Sequence, residues 1–500
     1  ETDVNVVTIN EQLADLLNID IGFLKSQSGL RFLSGKNSKT LPNSISLAYA
    51  GHQFGHLVPQ LGDGRAVLLG DKICKDGVRR DIQLKGSGKT YYSRGGDGRA
   101  GIGPVIREYL ISESMHHLGV PTTRSLAVIS TGEKVVRAEV SPGAMLARVA
   151  KSHVRVGTFE FFAIRNQKDH IRKLADFMIE RSHPDLSDNK NKYELFFERI
   201  VKGQASLVAQ WNSVGFIHGV MNTDNTSISC ETIDYGPCAF MDSYEANKVF
   251  SSIDQYGRYA FSNQSRVAPW NLSRLAETIL FLISKNTSDA IKVVEEILFD
   301  FDKNFNISLD ILSSRKLGFK NNSKKTISLY SELLNLMEAG KADFTHTFKS
   351  LRAILIKEDK LIWIYETMCR IRFFEESMLE QTYKGNSMGV THPSDGQEAV
   401  PTGICAHLSN NDWIGSTHRG HGHCIAKGLE TDKMMAEIMG KYTGNCKGKG
   451  GSMHIADFSK GMLGANAIVG ASIPLAVGAA LTAKYQGKDC LLYTSPSPRD

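Results

Sequence analysis

The first 150 residues carry short apolar runs that are separated by turns rich in glycine and arginine. Aliphatic and β-branched residues fill these runs, which is the pattern of partly buried strands. We therefore predict strands at 66–69, 81–84, 126–129 and 135–140. Between them, apolar residues recur at helical spacing and predict a helix over 104–118. The polar stretch 1–42 predicts helix and loop.

Beyond residue 156 the apolar residues follow helical spacing over long stretches. This spacing predicts helices within 157–213 and within 268–353, with short strands and turns between them over 214–244. A strand-rich part followed by a helical part predicts an α+β fold with two lobes and a cleft between them.

The pattern changes again near residue 352, where no linker rich in proline, glycine or serine intervenes. A helix is predicted to begin at 350–356 and to run through Trp363 and Phe374. Helices then alternate with glycine-rich loops, as in α/β proteins. The stretch 462–483 carries no charge, but its many glycine and alanine residues and Pro474 make it weakly apolar. We predict a buried helix there rather than a membrane span.

Composition and charge predict a soluble globular chain of more than one domain. Hydrophobic residues make up 41% and charged residues 22% of 500 residues, whereas one domain usually has ~100–200 residues. The net charge of +6 is spread without a basic block. We therefore expect neither a nucleic acid nor a membrane as a partner.

The eight cysteines are scattered without a Cys-x-x-Cys pair. This distribution is typical of free thiols in a reducing compartment. No signal peptide is visible, although the chain starts at Glu1 rather than Met, so a lost targeting segment stays an open alternative. We expect a cytoplasmic location for a bacterial protein and a mitochondrial one for a eukaryotic protein.

Candidate phosphate-binding residues lie in the strand-rich part. Lys85 ends the predicted strand at 81–84, and Glu108 lies in the helix that follows. A lysine at a strand end can hold nucleotide phosphates when a carboxylate orients it, as in protein kinases. A surface lysine and a solvated glutamate explain the same spacing, so spacing alone leaves both readings open. The turn Gly62-Asp63-Gly64-Arg65 allows a close approach to phosphate, although a polar hairpin turn explains it about as well. The turns Gly86-Ser87-Gly88 and Gly95-Gly96-Asp97-Gly98-Arg99 fit neither a P-loop nor a dinucleotide motif.

The strongest local signal is His218-Gly-Val-Met-Asn-Thr-Asp224-Asn225, which is followed by Asp234-Tyr-Gly236. Kinase sites place an Asp and an Asn on a catalytic loop and a metal-binding Asp in a later Asp-Phe/Tyr-Gly turn. Asp224 could accept a proton from an attacking hydroxyl, while Asn225 and Asp234 could bind Mg²⁺ through oxygen. A hairpin rich in Asn and Asp is the plain alternative.

Several long motifs in the same order resemble the selenoprotein-O family over about residues 1–352. They are Tyr49-Ala-Gly-His-Gln-Phe-Gly55, Gln60-Leu-Gly-Asp-Gly-Arg65, Lys85-Gly-Ser-Gly88, Ser93-Arg-Gly-Gly-Asp-Gly-Arg99, Gly119-Val-Pro-Thr-Thr-Arg124, His218 to Asn225 and Ile233-Asp-Tyr-Gly-Pro237. The resemblance implies a protein-kinase-like fold that transfers AMP from ATP to Ser, Thr or Tyr hydroxyls of proteins, with the nucleotide flipped relative to kinases.

The resemblance also implies roles for single residues. Asp224 is the expected base, Lys85 contacts phosphates and pairs with Glu108, and Asn225 and Asp234 hold Mg²⁺. The residues expected to bind the nucleotide are Gly62, Gly64, Arg65, Lys85, Asp97, Gly98, Arg148, Arg155 and Asp234. The residues alone do not say which phosphorus is attacked, so a conventional protein kinase stays the alternative.

A second cluster of motifs lies between residues 392 and 470. It comprises His392-Pro-Ser-Asp-Gly-Gln-Glu-Ala399, Thr417-His-Arg-Gly-His-Gly-His423, Gly444-Asn-Cys-Lys-Gly-Lys-Gly-Gly-Ser-Met-His454 and Gly464-Ala-Asn-Ala-Ile-Val-Gly470. The spacing of His418, His421 and His423 is unusual for zinc, so we do not predict a metal there. Arg419 beside glycines can hold a phosphate, and the glycines of 447–451 form either an anion-binding or a flexible loop.

These motifs resemble the alpha subunit of thiamine-diphosphate-dependent 2-oxo acid dehydrogenases of the pyruvate or acetoin type, over 357–489. The resemblance implies that His392, His418 and Arg419 face the cofactor or its diphosphate. It implies backbone contacts from Ala467 and Val469 to the cofactor ring and a beta subunit that completes the site. Glycine commonly stands in that family where this chain has Ala467.

Both resemblances have departures. The first ends near residue 351, ahead of the family's later segment with its redox-active cysteine or selenocysteine, so we expect a truncated domain without that control. The second ends at 487–489, ahead of the family's Gly-Asp-Gly magnesium motif, so we expect an incomplete, inactive α/β domain. Residues 490–500 look like a translated sequencing adapter.

Four hypotheses follow for the whole chain. It is an adenylyltransferase with a truncated passenger, a conventional kinase, a dehydrogenase component, or an assembly chimera of two genes. The chimera hypothesis concerns the origin of the sequence. A single long sequencing read of the source DNA across codons 340–370 tests it, because an intact junction would contradict a chimera. For activity, the residues of 1–352 are the more complete set, and we predict adenylyl transfer.

Overall fold

A computed structural model describes residues 4–35, 44–321, 323–354, 358–468, 470–488 and 490–494. The chain divides into two compact units, Glu1–Leu351 (unit 1) and Arg352–Asp500 (unit 2). We describe each unit by itself.

Unit 1 begins with strands and continues with helices. Its described strands are β1 Asn5–Ile9, β2 Gly51–Gln53, β3 His56–Val58, β4 Ala66–Ile73, β5 Arg79–Lys85, β6 Ala100–Gly101, β7 Arg124–Val136, β8 Val140–Ala150, β9 Phe216–Ile217 and β10 Ala239–Phe240. Its described α-helices are α1 Glu11–Leu16, α2 Ile21–Lys25, α3 Gln27–Leu33, α4 Ile102–His117, α5 Val156–Ala163, α6 Lys168–Ser182, α7 Lys192–Ser213, α8 Gln264–Ile283, α9 Thr287–Lys316, α10 Lys324–Ala339 and α11 Phe344–Ile354.

The main sheet of unit 1 is antiparallel in the order β1-β7-β8-β5-β4, and β6 pairs with β8. The strands predicted at 66–69, 81–84 and 126–129 are confirmed. The single strand predicted at 135–140 is wrong, because Val136 pairs with Val140 across a turn. Residues 137–139 form this turn, and the charged residues Arg137 and Glu139 within it were the overlooked signal.

The stretch 1–42 also contains a strand that its polarity did not predict. Strand β1 lies at the edge of the sheet, where Val6 pairs with Ile129 of β7. An edge strand buries only part of its side chains, so its sequence shows little apolar alternation. The prediction of helix and loop is therefore wrong for Asn5–Ile9, and helices α1 to α3 follow it.

The helices of unit 1 pack around a large apolar core. Phe159, Phe197, Leu272 and Phe301 come from α5, α7, α8 and α9, and each is at most 1% exposed. Helix α9 has 30 residues and contacts both α7 and α8. The predicted helices over 104–118, 157–213 and 268–353 are confirmed as α4, α5 to α7 and α8 to α11.

Unit 2 has a small parallel sheet with helices around it. Its described elements are α12 Glu358–Tyr383, α13 Ala399–Cys405, β11 Trp413–Thr417, α14 His421–Ala426, α15 Thr431–Ile438, β12 Met462–Asn466, α16 Ser472–Tyr485 and β13 Leu492–Thr494. The strand order is β12-β11-β13. Ile371, Ile414, Met434 and Met462 form the centre of its core, each fully buried.

Two predictions for unit 2 change. The helix through Trp363 and Phe374 is Glu358–Tyr383, and part of its predicted start lies outside the described residues. The buried helix over 462–483 is wrong, because Met462–Asn466 is a strand and α16 exposes most of its apolar side chains, Val477 among them at 64%. Among the described helices, none is long and apolar enough to cross a membrane.

Candidate active site

A pocket of about 450 Å³ in unit 1 opens beside the glycine-rich turns of the sheet. It is lined by most of the residues that the sequence predicted for this unit: Gly62, Gly64, Arg65, Lys85, Asp97, Gly98, Arg148, Arg155, Asp224, Asn225 and Asp234. Glu108 is buried behind them and contacts Lys85. The fold therefore collects these residues from distant parts of the chain into one place.

Asp234 is the centre of the charged groups in this pocket. Lys85 Nζ and Arg148 Nη1 each lie 2.9 Å from its Oδ1. Arg155 Nη1 lies 2.8 Å from its Oδ2. Burial alone would raise the pKa of Asp234, but the three cations outweigh burial and hold the pKa well below its usual range. The carboxylate is therefore ionised at neutral pH.

The sheet and helix α4 hold two of these cations in place. Glu108 of α4 accepts from Lys85 at 2.6 Å and from Arg148 at 3.2 Å. Gln83 faces Arg148 across the β5–β8 pair and accepts from its Nε and Nη2 at 3.1 and 2.5 Å. Gln83 was not predicted, because an amide inside an apolar run carries no motif. It fixes the direction of the guanidinium.

The loop 218–225 supplies the residues predicted for proton transfer and metal binding. His218 is buried, and its Nε2 lies 2.9 Å from the Ile233 carbonyl, which ties the loop to the turn of Asp234. Burial raises the pKa of Asp224 to about 6, although the Arg155 charge opposes this. Asn225 donates from Nδ2 to the Val220 carbonyl at 2.9 Å, so its oxygen is the atom that can accept.

Arg155 is almost fully enclosed, with 2% of its surface exposed. Besides Asp234, it donates to the Asp224 carbonyl at 2.8 Å and lies 3.7 Å from Asp63 Oδ1. Its guanidinium stands over the Tyr49 ring, 4.6 Å from the centroid. Sequence reasoning missed Tyr49 and Asp63 as site residues, although both lie in the motifs of the resemblance.

The glycine-rich turns form the outer wall of the pocket. Gly62 has φ 75°, and a Cβ at this position would lie 2.2 Å from the Tyr92 ring, so only glycine fits. Asp97 lies at the rim and binds Arg137 through two contacts of 2.7 and 2.8 Å. These hydrogen bonds hold the pKa of Asp97 below its usual range. Arg137, which no motif marked, adds a further positive charge to the wall.

The oxygen atoms of this pocket suit a hard divalent cation. Asp224 Oδ1 is buried without a hydrogen-bond partner in the described part of the chain. Asp234 and Asn225 add a carboxylate and an amide oxygen. The described residues contain no cluster of three or more His, Cys, Asp or Glu that could hold a metal alone. A hard divalent cation held by one or two carboxylates completes its shell with phosphates and water.

In unit 2 the structure brings together three of the five residues predicted to face a cofactor. The rings of His392 and His418 lie 5.2 Å apart, edge to face. Arg419 donates to the Pro393 carbonyl at 2.6 Å, which places it beside His392. His392 Nδ1 is buried without a partner among the described residues. The Arg419 guanidinium and the imidazoles of His392 and His418 are groups that can donate hydrogen bonds to the oxygens of a diphosphate.

Ala467 lies at the same edge of the small sheet. Strands β11 and β12 are parallel, and Thr417 pairs with Asn466 at their carboxyl ends. The residues that follow, His418 and Ala467, therefore leave the sheet side by side. Val469 lies outside the described residues. His421 binds the buried carboxylate of Glu375 at 3.0 Å, a contact within the core that no motif indicated.

Unit 2 has its own match among known families. The model of the dehydrogenase E1 component matches residues 366–495. This range covers the strands β11 to β13 and the histidines described above. Residues 366–381, which lie within helix α12, are also matched by a second family model, that of protein adenylyltransferase SelO.

The match to this second model covers most of the chain. The model of protein adenylyltransferase SelO matches residues 2–381. Protein nucleotidyltransferase YdiU of Bradyrhizobium diazoefficiens is 52% identical over 346 residues, which is 69% of this chain and 70% of that protein. YdiU of Brevibacillus brevis is 51% identical over 343 residues, again 69% of this chain and 70% of its own length. The family match over residues 2–381 and the identity to these relatives show that the chain belongs to the protein adenylyltransferase SelO family.

Proposed function

We infer that this protein transfers AMP from ATP to hydroxyl groups of proteins. The observation that carries this function is Asp234, which three cations surround beside Asp224 in the pocket of a chain of this family. We further propose that the acceptors are Ser, Thr or Tyr side chains. The strands and helices around the pocket support a kinase-like arrangement of two lobes with the nucleotide between them.

Adenylyl transfer joins the acceptor oxygen to the α-phosphorus of ATP and breaks the bond to the β-phosphate. Protein hydroxyl and ATP give protein-bound AMP, pyrophosphate and one proton. We propose that Asp224 accepts this proton. A pKa of about 6 makes Asp224 a stronger base than an ordinary carboxylate, yet leaves it mostly ionised at pH 7.

The cations of the pocket suit the charge of a triphosphate. We propose that Lys85, Arg148 and Arg155 contact its phosphates, and that Arg65 and the turn at Asp97 and Gly98 complete the nucleotide wall. Negative charge builds up on pyrophosphate as it leaves, and fixed cations stabilise it without reorganisation. Glu108 acts behind them by orienting Lys85 and Arg148.

We propose that Asn225 and Asp234 hold Mg²⁺, which would neutralise phosphate charge when bound. The amide oxygen of Asn225 and the carboxylate of Asp234 are hard ligands of the kind that this ion prefers. The chain's own residues then position the nucleotide and move the proton.

ATP that is labelled at either the α- or the γ-phosphate tests this function. We expect α-phosphate label to become bound to the purified chain or to casein with Mg²⁺, and Asp234→Ala to abolish it. Asp188→Ala, at an exposed aspartate outside the pocket, is the matched control and should label like the wild type. Bound γ-label without α-label would show a protein kinase, the alternative that the residues alone left open. An absence of both labels would overturn the function.

For unit 2 we propose no reaction. His392, His418, Arg419 and Ala467 would face thiamine diphosphate if this unit binds it, and a beta subunit would be the partner. We further propose that units 1 and 2 derive from two different genes. The two units then correspond to domains over residues 1–352 and 357–489. The bacterial origin of the relatives supports a cytoplasmic location.

A further inference from the structure

We propose that Arg258 binds a carboxylate of the acceptor protein, about three to five residues from the hydroxyl that receives AMP. The proposal rests on the proposed function, in which Asp224 is the base for that hydroxyl. Arg258 does not line the pocket described above and has no place in the reaction. It is a residue that determines which acceptor segments the protein prefers.

The guanidinium of Arg258 lies against neutral groups. Its Cζ is 4.6 Å from the centroid of the Trp270 ring and 3.7 Å from the place of a Cβ at Gly55. Its Nε is buried without a hydrogen-bond partner, and no carboxylate among the described residues forms an ion pair with it. Asp254, the closest acid along the chain, accepts instead from the backbone N–H groups of Arg258 and Tyr259 at 2.9 and 2.8 Å.

A second arginine on the same indole shows the contrast. Arg274 Cζ lies 5.2 Å from the Trp270 centroid, but its Nη2 is 2.7 Å from Glu277 Oε1. Arg258 has no such partner in the described part of the chain. A guanidinium that stacks on an aromatic ring is held in place and can still bind a carboxylate through two N–H groups. Arg258 is therefore a cation prepared for an acidic ligand.

Arg258 is also anchored to the loop that carries Asp224. The hydroxyl of the next residue, Tyr259, donates to Asn222 Oδ1 at 2.6 Å, and Asn222 lies two residues before Asp224. The backbone N–H of Phe54 donates to the same oxygen at 3.2 Å, which holds the β2–β3 turn against both segments. The surface around Arg258 is thus fixed relative to the proposed base.

The indole that carries Arg258 has a similar link to this loop. The rings of His52 and Trp270 meet edge to face with their centroids 5.4 Å apart. His52 Nδ1 lies 2.5 Å from Oε1 of the buried Glu160, whose Oε2 accepts from the Thr223 hydroxyl at 2.5 Å. Thr223 belongs to the loop 218–225. One chain of contacts therefore runs from the loop of the proposed base to the indole.

Strand β2 gives the separation between the base and the cation. A Cβ at Gly51 would lie 2.5 Å from Asp224 Oδ1, and a Cβ at Gly55 would lie 3.7 Å from Arg258 Cζ. A strand rises about 3.3 Å per residue, so these two glycines are at most about 13 Å apart. An extended acceptor segment covers that span with about three to five residues. This sets the spacing between the acceptor hydroxyl and the carboxylate.

The segment before Arg258 exposes apolar side chains. Ile253 is 67% and Tyr256 is 97% exposed, and Phe250 is partly exposed beside them. Aromatic residues and arginine are the residue types that protein interfaces favour. An extended protein segment with one carboxylate therefore complements this surface in charge and in apolar contact.

Synthetic peptides test the proposal with the whole chain, Mg²⁺ and ATP labelled at the α-phosphate. Each peptide carries Ser, Thr and Tyr at its centre in a background of alanine and glycine, with one Glu at varied distance on either side. A matched peptide has Gln in place of each Glu. At three to five residues on one side of the centre, we expect kcat/KM to be about fivefold higher with Glu than with Gln.

Arg258→Gln removes the charge and should lower this Glu-to-Gln ratio to about 1. Arg258→Lys keeps the charge without the two-pronged geometry and should give an intermediate ratio. Arg315→Gln, at an exposed arginine of α9, is the matched control and should keep the full ratio. The thermal midpoints of the variants, followed by circular dichroism, report whether each one is folded.

Calorimetric titration of the same peptides gives a second readout that needs no transfer. We expect the wild-type chain to bind the Glu peptide more tightly than the Gln peptide, and Arg258→Gln to bind both alike. If the wild-type chain labels neither the peptides nor casein, the proposed function fails, and the titrations still decide whether Arg258 binds the carboxylate. Equal values for Glu and Gln at every spacing, or a preference that survives Arg258→Gln, would overturn the proposal.

Discussion

At the residue scale, Glu231 is a buried carboxyl group outside the proposed chemistry. Its Oε2 accepts from the Lys151 N–H at 2.8 Å and from the Ser229 hydroxyl at 3.0 Å. Burial raises its pKa to about 7, although the Lys151 charge opposes this. The folded state therefore holds its proton more tightly than the unfolded chain, where the pKa is about 4.5.

This difference predicts how stability depends on pH. The group stabilises the folded state fully below pH 4.5, and its contribution is lost as pH rises to about 7. The loss amounts to roughly 3 kcal/mol. We expect Glu231→Gln to raise the thermal midpoint of unit 1 by a few degrees at pH 8 and to leave it unchanged near pH 4.5. Exposed Glu180→Gln is the control, and an equal shift at both pH values would contradict the prediction.

A second prediction at this scale concerns Gly51. Gly51→Ala forces β2 away from Asp224, because the new Cβ would lie 2.5 Å from Oδ1. We expect at least a 10-fold loss of α-label transfer at unchanged Kd for ATP. Gly103→Ala is the matched control, since nothing lies within 4 Å of its Cβ and alanine favours the helix by about 0.5–1 kcal/mol. Equal activity of the two variants would contradict close packing at Gly51.

The sequence predicted the site best where motifs carried it. Lys85, Glu108, Asp224 and Asp234 meet in the structure as their order along the chain suggested. Their supporting partners were missed, Gln83 and Glu160 above all. These partners belong to an ordinary strand and helix, and only the three-dimensional pairing of β5 with β8, or of α5 with β2, reveals what they touch.

At the scale of elements, predictions succeeded for long helices and failed for exposed or uncharged segments. Helix α7 buries an apolar face at helical spacing, and helix α4 lies close to its predicted bounds of 104–118. Strand β1 was missed because an edge strand lacks strong alternation. The uncharged run 462–483 contains a strand and an exposed helix, because the absence of charge alone does not distinguish burial from exposure. Periodicity was informative, and mean apolarity was not.

Helix α9 provides a test at this scale, because two of its phenylalanines differ in burial. Phe301 is 1% exposed in the core and Phe299 is 87% exposed. We expect Phe301→Ala to lower the free energy of unfolding by about 3–5 kcal/mol. Phe299→Ala should change it by less than about 0.5 kcal/mol. Urea unfolding measures both values, and a similar loss in the two variants would contradict this packing of α9 against α7 and α8.

At the scale of the whole molecule, units 1 and 2 each have a core of their own. Separate cores predict separate unfolding transitions in calorimetry of the whole chain. Phe301→Ala should shift one transition, and Ile414→Ala, at a fully buried position of unit 2, should shift the other. In the double variant, each transition should shift by the same amount as in the corresponding single variant. Movement of both transitions by either substitution would show that the units unfold together.

The three cations around Asp234 have a consequence for how ligands enter the pocket. Lys85, Arg148 and Arg155 at 2.8–2.9 Å occupy most of the acceptor positions of the Asp234 carboxylate, so a metal ion there would compete with them. If the proposed ligands bind here, a triphosphate would draw these cations away and a metal would replace them on the carboxylate. Each ligand would then remove the cost that the other would meet alone, and linkage would make this effect reciprocal. We therefore expect the pocket to bind a metal–nucleotide pair more tightly than either component alone.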